Sequence, residues 1–144
     1  MFAVAAASAL ALGLAACGGD DEGDTDTGPD EAAVAEFCSS LADLSMAISQ
    51  AQSVTDSTSQ TELQQINAAI GGAMDSVSLA AQGAEVNTDE ALAAVQSAQP
   101  QITALAEEQS PEGRAALEDA LEPAVAEVDA LEQENCQDVP ESGA

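Results

Sequence analysis

Few side chains in this 144-residue sequence can make or break bonds: the three cysteines Cys17, Cys38 and Cys136, and one basic residue, Arg114. Histidine, lysine, tryptophan and tyrosine are absent. Nucleophilic triads and Cys–His pairs need an imidazole to take the proton, so neither can be assembled. Histidine-containing metal sites fail for the same reason, and cysteine-rich zinc sites lack ligands. The glycine patterns of P-loops and dinucleotide folds do not occur. Paired carboxylates can hydrolyse glycosides. Here 27 Asp and Glu residues make any one pair uninformative, and no Trp or Tyr is present to stack on a sugar. Glu107-Glu108 and Glu118-Asp119 read as solvated helix faces. The expectation is no enzyme, no cofactor and no metal centre. Arg114 is expected to pair with a nearby glutamate such as Glu118, one helical turn away. The alternative is a bidentate grip on an anionic ligand.

The formal net charge of −26 narrows the partners. It repels phosphate backbones, which argues against nucleic acid. It also opposes docking on anionic lipid, so attachment to a membrane must be hydrophobic or covalent. An acidic surface of this kind favours solubility and attracts cations weakly.

The amino-terminal sequence supplies a covalent route. Residues 2–16 read FAVAAASALALGLAA, an uncharged run shorter than the roughly 20 apolar residues that a membrane-spanning helix needs. A short apolar stretch ending in small residues reads as a secretory signal peptide. At its end, Leu14-Ala15-Ala16-Cys17 resembles the bacterial lipobox: a branched apolar residue, two small residues, then cysteine. Met1-Phe2-Ala3, in contrast, lacks the basic residue usual at the start of such a signal. The resemblance implies removal of residues 1–16 and a diacylglycerol on the Cys17 sulfur. It implies an extracytoplasmic protein, lipid-anchored to the cell membrane. Each buried methylene contributes about 0.8 kcal/mol, and two acyl chains hold stably where one holds only marginally.

Residues 18–30, GGDDEGDTDTGPD, carry no large apolar side chain. Such a segment cannot bury enough surface to offset its ordering entropy, so 17–30 is expected to be a disordered acidic tether. Its root-mean-square reach is roughly 20 Å, extended further by like-charge repulsion. As a calcium loop it fails: Thr25 follows Asp20-x-Glu22-x-Asp24 where the EF-hand needs glycine.

From Glu31 to Cys136 the apolar residues recur at steps of three and four, the period of amphipathic helices. The first stripe is Val34, Phe37, Leu41, Leu44, Ile48 and Ala51. The second is Leu63, Ile66, Ile70, Ala73, Val77 and Ala80, opened by the capping-box pattern Ser59-Gln60-Thr61-Glu62 and closed at Gly83. The third runs from about Thr88 to Gln109, capped by Asn87 or Thr88, with Leu92, Val95, Ile102 and Leu105 inward. The fourth begins at Ser110-Pro111, a cap followed by proline at the first helical position. Its stripe is Leu117, Leu121, Ala124, Val128 and Leu131. Residues 137–144 are expected to fray.

Pro100 and Pro123 fall inside helices and free the carbonyls of Gln96 and Asp119, so a kink is expected at each, or a break near Gln99. Gly71-Gly72 sits mid-helix at about 1 kcal/mol per glycine relative to alanine. Close approach of a neighbouring helix is the expected reason, with a hinge as the alternative. Sustained alternation is missing, which argues against β structure. Short connections favour antiparallel neighbours. The fold class expected is therefore all-α: an up-down-up-down four-helix bundle with kinked third and fourth helices.

With Cys17 lipidated, only Cys38 and Cys136 remain for an intramolecular disulfide, and export would place them in an oxidising compartment. In an up-down bundle the two positions lie at the same end. Closing a loop of nearly one hundred residues contributes up to about 4.7 kcal/mol in the chain-entropy model. The function expected is that of a lipid-anchored envelope protein with a helical interaction or spacer domain. In style it resembles the small Ala-rich lipoproteins of high-GC Gram-positive bacteria. The alternative is an extracytoplasmic carrier of a small ligand or cation, for which a cavity with convergent polar groups would speak.

Overall fold

The structure is a computed structural model that describes residues 30–137. The lipobox with Cys17, the tether up to residue 29 and the tail from residue 138 lie outside the described residues. Within them the chain forms four α-helices and no strand: α1 (Glu31–Gln52), α2 (Gln60–Ala84), α3 (Asp89–Glu107) and α4 (Pro111–Asn135). The helices pack as a bundle. The most extensive pairings are α1 with α2 and α3 with α4, so each helix lies against its chain neighbour. The α2–α3 and α1–α4 seams join the two pairs, and α1–α4 is the thinnest of the four.

The helix starts follow from local hydrogen bonding. Asp30 caps α1, its carboxylate accepting from the Ala32 N–H at 3.1 Å. At α2 the capping box is complete. The Ser59 Oγ accepts from the Glu62 N–H, and the Glu62 carboxylate accepts from the Ser59 N–H at 2.8 Å. Ser110 caps α4 by accepting from the Gly113 N–H at 3.0 Å, with Pro111 in the first turn where its missing N–H costs nothing. At α3 the N-cap is Thr88, whose buried side chain makes no capping bond. Asn87 compensates, its side-chain oxygen accepting from the Asp89 N–H at 2.9 Å.

Phe37, Leu41, Leu44, Leu63, Ile70, Val77, Val95, Ile102, Leu117, Leu121 and Val128 are the largest fully buried side chains. Each is on a stripe read from the sequence. The edges of those stripes are less buried than the periodicity implies: Val34, Ile66, Ala73, Leu92 and Leu131 are only partly covered. Their places in the core are taken by alanines such as Ala47, Ala81, Ala84, Ala91 and Ala98. A Leu-sized side chain contributes about 1.5–3 kcal/mol on full burial and alanine much less, so this core gains little per residue. By length and composition α1 could cross a membrane. In the bundle Phe37, Leu41, Leu44 and Ile48 pack inward, while Glu36, Asp43 and Met46 are exposed.

Three expectations are corrected. First, α2 does not stop at Gly83. It runs on to Ala84, and the left-handed closing position is taken by Glu85 at φ 56°. The Val86 N–H reaches back to the Ala81 carbonyl at 3.0 Å, closing the helix end. Packing decides this: Ala80, Ala81 and Ala84 are all buried, so the inward stripe continues past the glycine. Second, neither Gly71 nor Gly72 is required by a close helix approach. A Cβ at Gly71 would meet Gln99 at an ordinary 3.6 Å, and one at Gly72 would meet nothing within 4 Å. Third, α3 does not break near Gln99 but is continuous through Pro100, as α4 is through Pro123. Both prolines, with Gln96 and Asp119, are exposed, so each freed carbonyl lies on the solvent side of its helix, where water can take the place of the missing N–H.

Candidate functional site

The residues with chemical potential gather at the two ends of the bundle. One end is built from the start of α1, the end of α2, the α2–α3 connection and the end of α4. Here Cys38, two turns into α1, and Cys136, the C-cap of α4, form a disulfide with an S–S distance of 2.03 Å. Their Cα atoms are 5.7 Å apart across 98 residues of sequence. Both cysteines are partly buried and pack against the core.

Two open grooves flank the bridge. One, of about 670 Å³, is lined by Val34, Ala84, Val86 and Leu131, with Glu85, Asn87, Glu134 and Asn135. The other, of about 500 Å³, shares Asn87, Leu131 and Glu134 and adds Asp89, Glu90 and Glu127. The polar groups of the smaller groove are mostly carboxylates, and those of the larger are carboxylates and amides in equal number. Among the described residues, no three Cys, Asp or Glu side chains converge as metal ligands. The grooves therefore combine a small apolar floor with a negative rim, an arrangement that would screen cations diffusely rather than chelate one.

The opposite end carries Arg114. Sequence spacing pointed to Glu118 as its partner; the structure corrects this. Arg114 Nη1 donates instead to the Asp56 carboxylate in the α1–α2 connection. The α3–α4 connection meets the same loop, where the Gln109 side-chain amide donates to the Thr58 carbonyl. Arg114 and Asp56 line a shallow cleft of about 160 Å³ with Leu63, Leu105 and Pro111. A guanidinium whose nearest partner is a carboxylate is already committed, so this cleft is poorly suited to gripping an anion. The sequence could not reveal this pair, because it depends on which two connections share an end.

One carboxylate is electrostatically distinct. Glu62 is held below the usual carboxylate range, first by the Ser59 backbone N–H and second by the Ser59 hydroxyl. Its role is structural, at the start of α2. No known protein family, curated protein or solved structure matches this chain.

Proposed function

We propose that this chain is an extracytoplasmic lipoprotein, anchored to the cell membrane by a lipid on Cys17. Its helical body is an interaction or spacer domain with no catalytic activity of its own. Leu14-Ala15-Ala16-Cys17, at the border between an apolar run and an acidic one, supports the anchor. What favours a spacer or interaction body is the interior. Twenty-two buried hydrophobic side chains fill the core, and Thr88 is the one buried polar residue described. A ligand carrier would place convergent polar groups inside, and these are at the rim instead. The membrane is the partner, reached through the covalent lipid, and nucleic acid is excluded by charge.

In this reading the helices alternate up and down. The pairing of each helix with its chain neighbour supports the alternation, as does the grouping of Val34, Ala84 and Asn135 at one end with Asp56, Gln109 and Arg114 at the other. Pro100 and Pro123 would bend α3 and α4 towards the core, with the freed carbonyls on the convex side. The test is fractionation of the source cells expressing the wild type and Cys17→Ala. The wild type is expected in the membrane fraction and Cys17→Ala in the aqueous one. Equal partitioning of the two would overturn the reading.

A second reading is binding of a small ligand or cation in the larger groove, where the apolar floor of Val34, Ala84, Val86 and Leu131 would suit a small ligand and the Glu85 and Glu134 carboxylates a cation. Calorimetry with calcium checks it. Saturable heat at low millimolar concentration supports it, and diffuse heat suppressed by salt counts against it.

A further inference from the structure

We infer that the Cys38–Cys136 disulfide is a local, redox-sensitive latch on the grooved end of the bundle rather than a staple for the whole fold. The bridge lies where α4 is least buried. The last fully packed residue of α4 is Val128, and the seven residues that follow it up to Asn135 contribute none to the buried core. Leu131 and Cys136 are only partly covered. The last turns hold Asp129, Glu132 and Glu134 at the negative end of the helix dipole, with no basic residue in the last turn to offset them. Those turns face α1 across the thinnest seam, and they face the start of α3 only across the open groove lined by Asp89, Glu90 and Glu134. Burial is sparse there and electrostatics oppose the helix, so the covalent bond is the main restraint on the segment. Most of the core sits on the α1–α2 and α3–α4 pairings, neither of which the bond bridges.

The chemistry needs a dithiol donor. Its first thiolate attacks one sulfur of the bridge, the S–S bond breaks, and the other cysteine leaves as a thiolate that takes a proton. The donor's second thiolate then attacks the mixed disulfide. The donor departs as an internal disulfide, and Cys38 and Cys136 are both left as thiols. With the bond gone, residues 129–137 lift away, carrying Leu131 with them, and uncover Val34, Ala84 and Val86, the apolar side of the groove on α1, α2 and the α2–α3 connection. The latch stands whether or not Cys17 carries lipid.

Hydrogen exchange with mass spectrometry on the full mature chain, before and after reduction by dithiothreitol, tests this. A Cys38→Ser, Cys136→Ser double variant serves as the permanently open form. Amides in 129–137 are expected to exchange about ten-fold faster or more once the bond is broken, over and above any uniform change that the lost loop constraint brings to α2 and α3. A neutral apolar dye should gain fluorescence in parallel. Even loss of protection in all four helices, or outright unfolding, would overturn the inference by making the bond a global staple. Unchanged exchange in 129–137 would overturn it too, as would alkylation showing both thiols free in the native protein.

Discussion

Arg114, in the first turns of α4, pairs with Asp56 in the α1–α2 connection and not with Glu118 on its own helix. The one cation of the sequence is thus used to tie two connections together at the end opposite the disulfide. Asp56 is 75% exposed and Arg114 31% exposed, so water screens the pair. Replacing Arg114 with alanine should lower stability by no more than about 1 kcal/mol. Chemical denaturation in low and high salt checks this, and the difference between wild type and variant should shrink as salt rises. Asp56→Asn should behave in the same way and Glu118→Gln should be neutral. A larger effect at Glu118 than at Asp56 would contradict the assignment.

Two helix positions carry the wrong residue for their backbone. Gly72 is exposed in the middle of α2 with open space around its missing Cβ. Gly72→Ala should stabilise the fold by about 1 kcal/mol, since alanine is the better helix former and restricts the unfolded chain. Glu85 shows the reverse mismatch, a steric cost of its Cβ at φ 56° where glycine is free of strain. Glu85→Gly should add roughly 1–2 kcal/mol. Thermal or urea melts of the single and double variants read both, and the increments should add because the sites are remote along the helix.

The capping box gives a pH prediction whose sign is fixed. Glu62 has a carboxyl held below its ordinary value by hydrogen bonds from Ser59. A carboxylate with a depressed folded-state pKa stabilises the fold above its unfolded value, and that contribution disappears as the pH falls through the folded value. Relative to Glu62→Gln, the wild type should therefore hold its advantage near neutral pH and lose it below about pH 4.3. The difference between the two proteins is the informative quantity, because acidification also relieves the repulsion among the other carboxylates. Ser59→Ala should cost about 0.5–2 kcal/mol at neutral pH.

Much of the fold was legible because it is periodic. Phe37, Leu41 and Leu44, or Leu117, Leu121 and Val128, lie where steps of three and four put them, and all are buried. Ser59 with Glu62, and Ser110 with Pro111, announce helix starts through bonds that span three residues, well inside the reach of sequence. What escaped depended on tertiary contact. Gly83 looks like a stop, but the helix continues to Ala84 because Ala81 and Ala84 fit the core, and no local rule weighs that gain against glycine's preference. Ala47, Ala91 and Ala98 are buried where Val34, Ile66 and Leu92 were favoured, because in a lean core close helix packing selects the small residue. Arg114 and Asp56 are 58 residues apart, and only the shared end of two connections brings them together. The grooves beside Cys38 and Cys136 had no sequence signal, since three separate chain segments line them.

The central claim is that a fatty modification on Cys17 holds this acidic chain outside the cell. Intact-mass spectrometry of the native protein extracted from its source membranes tests it most directly. The account predicts a chain that begins at Cys17 and carries the mass of a diacylglycerol, with residues 1–16 gone. A chain that still contains Met1 through Ala16, or a mature protein recovered from buffer with an unmodified Cys17 sulfur, would contradict it.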